Sequence, residues 1–503
     1  MKRRNFLRTL AASPALLHAR STVPYGVQTG DVIPGRAIIW SRAESPSRMI
    51  VDWSQHQDMR NSRRMQGLDA LPSTGLTARL DLRDLPLNAQ IHYQVRFLDL
   101  RDNRTLSEPV NGTFRTAPTR PSNIRFLWSG DTAGQGYGIN PDFGGMRIYE
   151  TMRRLNPDFF LHSGDTIYAD NPIPAEIRLP SGDIWRNITT EVKSKVAETL
   201  DEFRGNYLYN LMDEHVRRFN SEVPQIWQWD DHEVTNNWSP GKDLATDQRY
   251  AEKNIAALVT RARQAFLEHA PIRLNSNRLY RRIPYGPLLD IFVIDMRSYR
   301  AANSYNLQPA ESPETLFLGR PQLQWLRQGL KNSRALWKVI ASDMPIGLIV
   351  GDGGDSRNRP RFENCANSNG PALGRELEIA SLLKSLKQDR VRNTVWLTAD
   401  VHYTAAHFYD PAKAQFTEFD PFWEFISGPL HAGTFGPGTL DNTFGPQVIF
   451  QKAPPKGQSN LPPSAGLQFF GEVTIDGKSG ALEVILRDLA GDALFRKSLD
   501  PAP

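Results

Sequence analysis

Short apolar runs that each stop at an aspartate recur along this chain, and they constrain its fold more than any other feature. Ile124–Ser129 leads into Gly130-Asp131, and residues 158–163 lead into Gly164-Asp165. Residues 226–229 reach Asp230-Asp231-His232-Glu233, 288–294 reach Asp295, 338–342 reach Asp343, and 394–399 reach Asp400-Val401-His402. Unbroken apolar runs belong to strands covered on both faces, and layered α/β folds place their ligands just past such strand ends. Carboxylates gathered there repel one another unless protons or cations compensate. A metal cluster is the economical expectation.

The chain has 503 residues, of which 40% are hydrophobic and 23% charged, so a globular protein of two or more domains is expected. The formal net charge of +5 is mild. It helps an anionic substrate approach, but it is no nucleic-acid footprint, and no dedicated nucleic-acid partner is expected. No long charge-free apolar span suggests a transmembrane protein. Lys2-Arg3-Arg4-Asn5-Phe6-Leu7-Arg8, a modestly apolar stretch and small residues near Ala19 read as a twin-arginine export signal over residues 1–20. That implies the twin-arginine machinery as a partner and a periplasmic or extracellular destination. Cys365 is the single cysteine, so no internal disulfide can form; it reads as a loop thiol.

Residues 23–117 read as an all-β unit, with short alternating strands punctuated by glycine and proline and no amphipathic helix between them. A small N-terminal β-sandwich domain is expected there. Residues 116–121 read as a linker. From 122 to 500 strands alternate with helical stretches, the signature of an α/β domain. Residues 146–155 and 250–269 have helical spacing, and 189–219 is helical but highly charged. Residues 351–374 and 431–463 are long and irregular, as active-site rims often are.

Four motifs carry chemistry. Gly130-Asp131 and Gly164-Asp165 combine a glycine, which permits a sharp turn, with a carboxylate aimed past the strand. Tyr168 follows Asp165 by three residues and can reach the same ion; phenolate suits Fe(III), and the alternative is a tyrosine packed on a helix start. His232, flanked by Asp231 and Glu233, is oriented and kept protonated as a general acid needs, although capping aspartates at a helix N-terminus would also explain the acids. Asp400 and His402, two apart on an extended segment, would each face a cation. His407 reads as an ordinary surface or core residue, and His431 as a member of a rim loop.

Gly-Asp, Gly-Asp-x-x-Tyr, Asp-Asp-His-Glu and Asp-x-His in this order resemble the calcineurin-like metallophosphoesterases, and more closely the alkaline phosphatase D (PhoD-type) family. Trp229–Glu233 in sequence with Asn236-Asn237, residues 294–300, Gln324-Trp325-Leu326 and Asp400-Val401-His402-Tyr403 support the likeness across nearly the whole chain. The resemblance implies a four-layer α/β/β/α sandwich preceded by the small β-domain. It also implies hydrolysis of phosphate esters by a hydroxide generated at a binuclear or multinuclear centre. Carried over position by position, Asp165 bridges two ions. Asp131, Tyr168 and His402 share an iron-like ion with it, and Asp231 and Asp400 bind the second. His232 donates a proton or holds phosphate.

PhoD-type enzymes commonly have a cysteine where this chain has Asp131, and that version looks instead like the purple acid phosphatases, which hold Fe(III) with two aspartates, a tyrosine and a histidine. Asp343 stands where that family has a histidine on the second ion; metal binding and core or capping use are both open to it. With Asp343 as ligand the second site is nearly all oxygen, which favours Ca²⁺, Mg²⁺ or Mn²⁺ over zinc. Asn236 and Arg297 are the expected phosphate contacts, and the stretch around Arg297 also fits a structural salt-bridge corner. The leading expectation is an exported phosphomonoesterase with possible diesterase activity. The alternatives are an enzyme acting mainly on diesters, phospholipase D-like in substrate, and a non-catalytic cell-surface protein whose metals are structural.

Overall fold

A computed structural model describes residues 22–273 and 278–502. The expected export signal at residues 1–20 lies outside the described residues. Two large mixed sheets form the body. One has nine strands in the spatial order Ala493–Leu499, Leu482–Asp488, Phe469–Ile475, Ile124–Ser129, Phe159–Ser163, Gln225–Gln228, Val27–Ile33, Arg36–Arg42, Thr77–Leu82. The other has seven, in the order Arg281–Pro284, Leu289–Val293, Trp337–Ala341, Thr394–Thr398, Phe422–Ile426, Thr404–Tyr409, Pro446–Lys452. Their central strands pair in parallel.

The apolar runs are continuous because each strand is covered twice. Phe126, Trp128, Leu161, Ile291, Val293, Val339, Ala341, Val395 and Leu397 alternate inward to one core between the sheets. Their chain neighbours point the other way. Leu127 and Phe160 pack under helices Ile148–Arg154 and Glu214–Glu222. Phe292, Ile340 and Trp396 pack under Arg320–Asn332 and Glu376–Gln388. The result is four layers, α/β/β/α.

The β-rich N-terminal part differs from a free-standing sandwich. A four-stranded sheet, in the order Arg63–Ala70, Ser47–Ser54, Gln90–Asp99, Val110–Arg115, shares its core with Val27–Ile33, Arg36–Arg42 and Thr77–Leu82. Those three strands also extend the nine-stranded sheet, through one parallel pairing of Gly30 with Gln225. The charged stretch 189–219 is interrupted, giving helices Leu200–Asn210 and Glu214–Glu222, each capped by its own side chain at Thr199 or Asp213. The helical spacing at 250–269 begins only at Ile255, where the Asn254 side chain accepts from the Ala256 amide at 3.0 Å. No described helix is long and apolar enough to cross a membrane.

Candidate metal centre

The parallel strands of both sheets end on the same side, and four of the six aspartate tips meet there, with a fifth, Asp343, joined to them through Arg297. Asp131, Asp165 and His402 bring ligand atoms within 4.8 Å of one another. So do Asp165, Asp231 and His232, and so do Asp230, Asp231 and Asp400. Asp165 is common to the first two sets and Asp231 to the last two, so the three form one continuous cluster. Tyr168 joins it, its Oη 2.8 Å from His402 Nε2. The sixth tip, Asp295, stays outside: its Oδ1 accepts from Trp229 Nε1 and from the amides of Arg297 and Ser298, closing a turn.

The local backbone pays for this convergence. Asp131, Asp165, Asp400 and His402 all sit in the left-handed region, with φ of 69°, 51°, 66° and 58°. Aspartate tolerates that region better than most residues, yet such positions cost about 1–3 kcal/mol each and persist only where the surroundings over-determine them. Two sequence expectations change here. Asp400 and His402 do not share an extended segment: the strand ends at Thr398, and the turn beyond it sends the two side chains to different sets. Gly164 does make the sharp turn, at φ 101°, against Asp230; at the first motif Asp131 itself turns, and Gly130 is small because Ala399 lies against it. The loop after 427 pins that turn, with the His431 amide donating to Asp131 O at 3.0 Å and Ala133 N donating to His431 O at 2.7 Å. His431 and His407 are both buried, bonded to Gly138 O and Glu424. Cys365 lies in its loop but fully buried, with Sγ on Ile346 O at 3.0 Å.

His232 is held from three sides. Its Nδ1 lies 2.6 Å from Asp170 Oδ1, its amide donates to Asp165 Oδ1 at 3.1 Å, and its ring stacks on Tyr168 at 4.3 Å. Burial would lower its pKa, but the carboxylates of Asp170, Asp231 and Asp165 outweigh burial and hold it well above the ordinary histidine range. His402 behaves oppositely. Burial pulls it down to about 4, and Nδ1 donates to Gly433 O, so the neutral ring turns its Nε2 lone pair into the cluster. Burial, then the charges of Asp165 and Asp131, push the Tyr168 phenol well above its usual value. Burial likewise raises Asp131, Asp165, Asp230 and Asp400, helped by their mutual repulsion. Asp231 goes down to about 2, because His232 and Arg297 together overcome its burial.

The remaining predicted residues are placed as follows. Asn236 is exposed, its backbone amide donating to Asp170 Oδ2 at 2.9 Å. Arg297 is corrected: it is fully buried, and its guanidinium is consumed by carboxylates, not turned toward open space. Nε donates to Asp230 at 2.6 Å and Asp343 at 3.1 Å, another nitrogen pairs with Glu363, and Nη2 lies 3.5 Å from Asp400. Asp343 belongs to none of the three sets: its Oδ2 accepts from Arg297 Nε, and its Oδ1 is buried without a partner.

Sequence reasoning assigned no role to Asp170, Asp230 or Glu363, and it set Glu233 to orient His232, a task that Asp170 performs. Asp170 had a signal, standing two residues past Tyr168 on the same strand tip. Glu233 ties two tips together, accepting from Thr166 N and Oγ1 at 2.6 Å and from Asp230 N at 2.7 Å. Glu363 had none, since it arrives from an irregular loop.

The donor set fits cations. Among the described residues both oxygens of Asp131 and one each of Asp230, Asp231 and Asp343 are buried without any hydrogen-bond partner. Carboxylates only accept, so such atoms need protons or metal. The first set, with Tyr168, offers oxygens, a phenol and an imidazole; the third, Asp230, Asp231 and Asp400, is all oxygen, which suits a hard cation.

A four-layer α/β sandwich with acidic tips and histidines gathered at its sheet ends is a metallophosphoesterase architecture. Residues 126–486 match the family model described as PhoD-like phosphatase, and residues 10–118 match that of its N-terminal domain. The chain belongs to the PhoD-like phosphatase family. It is 27% identical over 412 residues to alkaline phosphatase D of Bacillus subtilis (strain 168), a match covering 76% of this chain and 65% of that relative's length. A solved structure of PhoD superposes with a TM-score of 0.69 at 20% identity, covering 97% of this chain and 90% of that one. A purple acid phosphatase from yellow lupin seeds gives 0.56 at 12%, covering 95% and 74%.

Proposed function

We propose that this chain is a metal-dependent phosphoesterase acting on phosphate monoesters, and on some diesters, after export through a twin-arginine signal at residues 1–20. In this reading residues 23–117 buttress the catalytic part at 122–500. The observation that carries the reading is the set of buried, unpartnered carboxylate oxygens converging beside a histidine braced by an acid. Asp165 is the shared ligand. Asp131, Tyr168 and His402 complete a site for Fe(III), and Asp231, Asp400 and Asp230 offer one for Ca²⁺, Mg²⁺ or Mn²⁺.

Cations held by these residues would supply charge neutralisation for the phosphoryl oxygens and an acidified water as nucleophile. His232 supplies the proton. Asp170 fixes Nδ1, which leaves Nε2–H free to protonate the departing ester oxygen. Asn236, exposed beside Asp170, is the phosphate contact in this reading. Arg297 and Glu233 hold the tips in place without touching substrate.

The metal-loaded protein is expected to hydrolyse p-nitrophenyl phosphate, and its bis-ester at a rate that fixes the monoester or diester preference. Activity should vanish on chelation and return with added metal. Full turnover by protein shown by elemental analysis to be metal-free would end the proposal. The iron assignment has its own readout. The phenol of Tyr168 is held protonated by its surroundings, so phenolate forms there only against a strong Lewis acid. The loaded protein should therefore show a visible tyrosinate-to-iron absorption band, and Tyr168→Phe should abolish it. A colourless protein with tightly bound non-iron metal would reassign that site and leave the hydrolase reading standing.

A further inference from the structure

We propose that the hairpin formed by Gly351–Gly354 and Pro360–Phe362 is a subsite for a second anionic group of the substrate, with Arg357 and Arg361 as its cations. The inference rests on the phosphoesterase reading above and names a substrate class for it: esters that carry another phosphate beside the one cleaved.

The hairpin is anchored to the metal centre at both ends. At its start, Asp352 accepts from Asn237 Nδ2 at 3.2 Å and from Asn303 Nδ2 at 2.9 Å. The amide of that same Asn237 donates to Asp231 Oδ2, so one residue separates the hairpin from a cluster carboxylate. At its end, Glu363 is buried against Arg297, and its carbonyl takes Arg375 Nη1 at 2.6 Å. Arg361 is thus two residues from the charged network that holds Asp230 and Asp400.

The charges of the hairpin are unevenly used. Arg359 is neutralised by Asp355 at 2.7 Å and lies over the Tyr305 ring at 3.9 Å. Asp352 is taken by the two asparagines. Among the described residues no carboxylate pairs with the guanidinium of Arg357 or Arg361, although the Arg357 amide donates to Asp355 Oδ1 at 2.9 Å. Arg361 Nε donates to Asp352 O at 3.1 Å, which fixes its stem beside Gly353 and leaves its other nitrogens available. Gly351, Gly353 and Gly354 are exposed and bear no side chains, so nothing of their own screens the two guanidiniums. Lys242, bonded to Asn236 O, adds a third cation to the same rim. A centre so rich in carboxylates repels anions from a distance. Guanidiniums at its edge counter that field, and their planar forks match phosphate oxygens.

The test compares adenosine 5′-monophosphate with adenosine 3′,5′-bisphosphate by phosphate release at low ionic strength. The metal-loaded protein should favour the bisphosphate by about tenfold in kcat/KM, mostly through KM, and 0.5 M salt should erase most of that preference, as about tenfold matches two exposed charge contacts. In a protein carrying Arg357→Ala with Arg361→Ala the preference should fall to near unity, and lysine at both positions should restore part of it. Equal handling of the two nucleotides by the unaltered protein would overturn the subsite, as would a double variant that keeps the preference. If neither nucleotide is cleaved, the phosphoesterase reading is what fails. Calorimetric binding of the same two nucleotides then decides the subsite, because excess affinity for the bisphosphate that the double variant loses supports it and equal affinity refutes it.

Discussion

His232→Ala is expected to lower kcat by about 10²–10⁴-fold, the usual loss when a positioned proton donor is removed, while the content of bound metal stays unchanged. The ring nitrogen nearer Asp170 is engaged at 2.6 Å, and the other lies 4.0 Å from Asp231 Oδ2, too far for a hydrogen bond. It is therefore the free nitrogen that can meet a leaving group. A poor leaving group needs the proton more, so the loss should be larger on an alkyl phosphate than on p-nitrophenyl phosphate. Asp170→Asn tests the cause. Burial opposes the charged ring, and Asp170 heads the carboxylates that overcome it. The raised pKa keeps the donor protonated as pH rises. Removing the anion lowers that pKa, so the alkaline limb of the kcat profile should move to lower pH, with more activity lost at pH 9 than at pH 6. Equal losses on both substrates with an unmoved limb would remove His232 from the proton-transfer step. Loss of a metal on His232→Ala would instead make the residue a ligand, as its place beside Asp165 and Asp231 allows.

The strand tips were legible in the sequence because each central strand is buried on both faces, and a stretch such as Phe126-Leu127-Trp128 therefore stays apolar close to its aspartate. The order of the motifs gave the rest of the layered architecture. Pairing of Val27–Ile33 with Gln225–Gln228 was not legible, since a single parallel contact between segments so far apart leaves no local pattern. The residues that cluster at the strand tips could be read from residue type and place. Their backbone could not: a left-handed aspartate or histidine looks like any other in a sequence, and the Asp400-Val401-His402 segment was read as extended for that reason. Asp170 could have been found from its spacing to Tyr168. Arg297 was left between two readings because an arginine after a strand tip looks equally suited to phosphate and to carboxylate. Only the arrival of Asp343 from the next strand and Glu363 from a glycine-rich loop decides between them.

Arg297→Met is the substitution expected to cost the fold most. The guanidinium has no exposure to solvent and stands among Asp230, Asp343, Glu363 and Asp400, with Asp231 at 3.8 Å. Taking away the cation leaves buried carboxylates that neither water nor another base can compensate, a change worth about 3–5 kcal/mol when one partner of a buried pair is removed. The loss should be seen in denaturant unfolding of the chelated protein, where bound metal cannot mask it. Arg297→Lys keeps the charge but not the fork that reaches Asp230, Asp343 and Glu363 together, and should fall between the two. Adding Glu363→Gln to Arg297→Met should recover part of the stability, since one stranded charge disappears; a coupling of about 0.5–3 kcal/mol is usual for residues in one such network. A direct phosphate contact predicts another outcome, in which Arg297→Met unfolds like the parent and only KM rises. The geometry favours the structural result, because a fully buried side chain shared among acids turns none of its nitrogens to solvent, where a substrate would arrive.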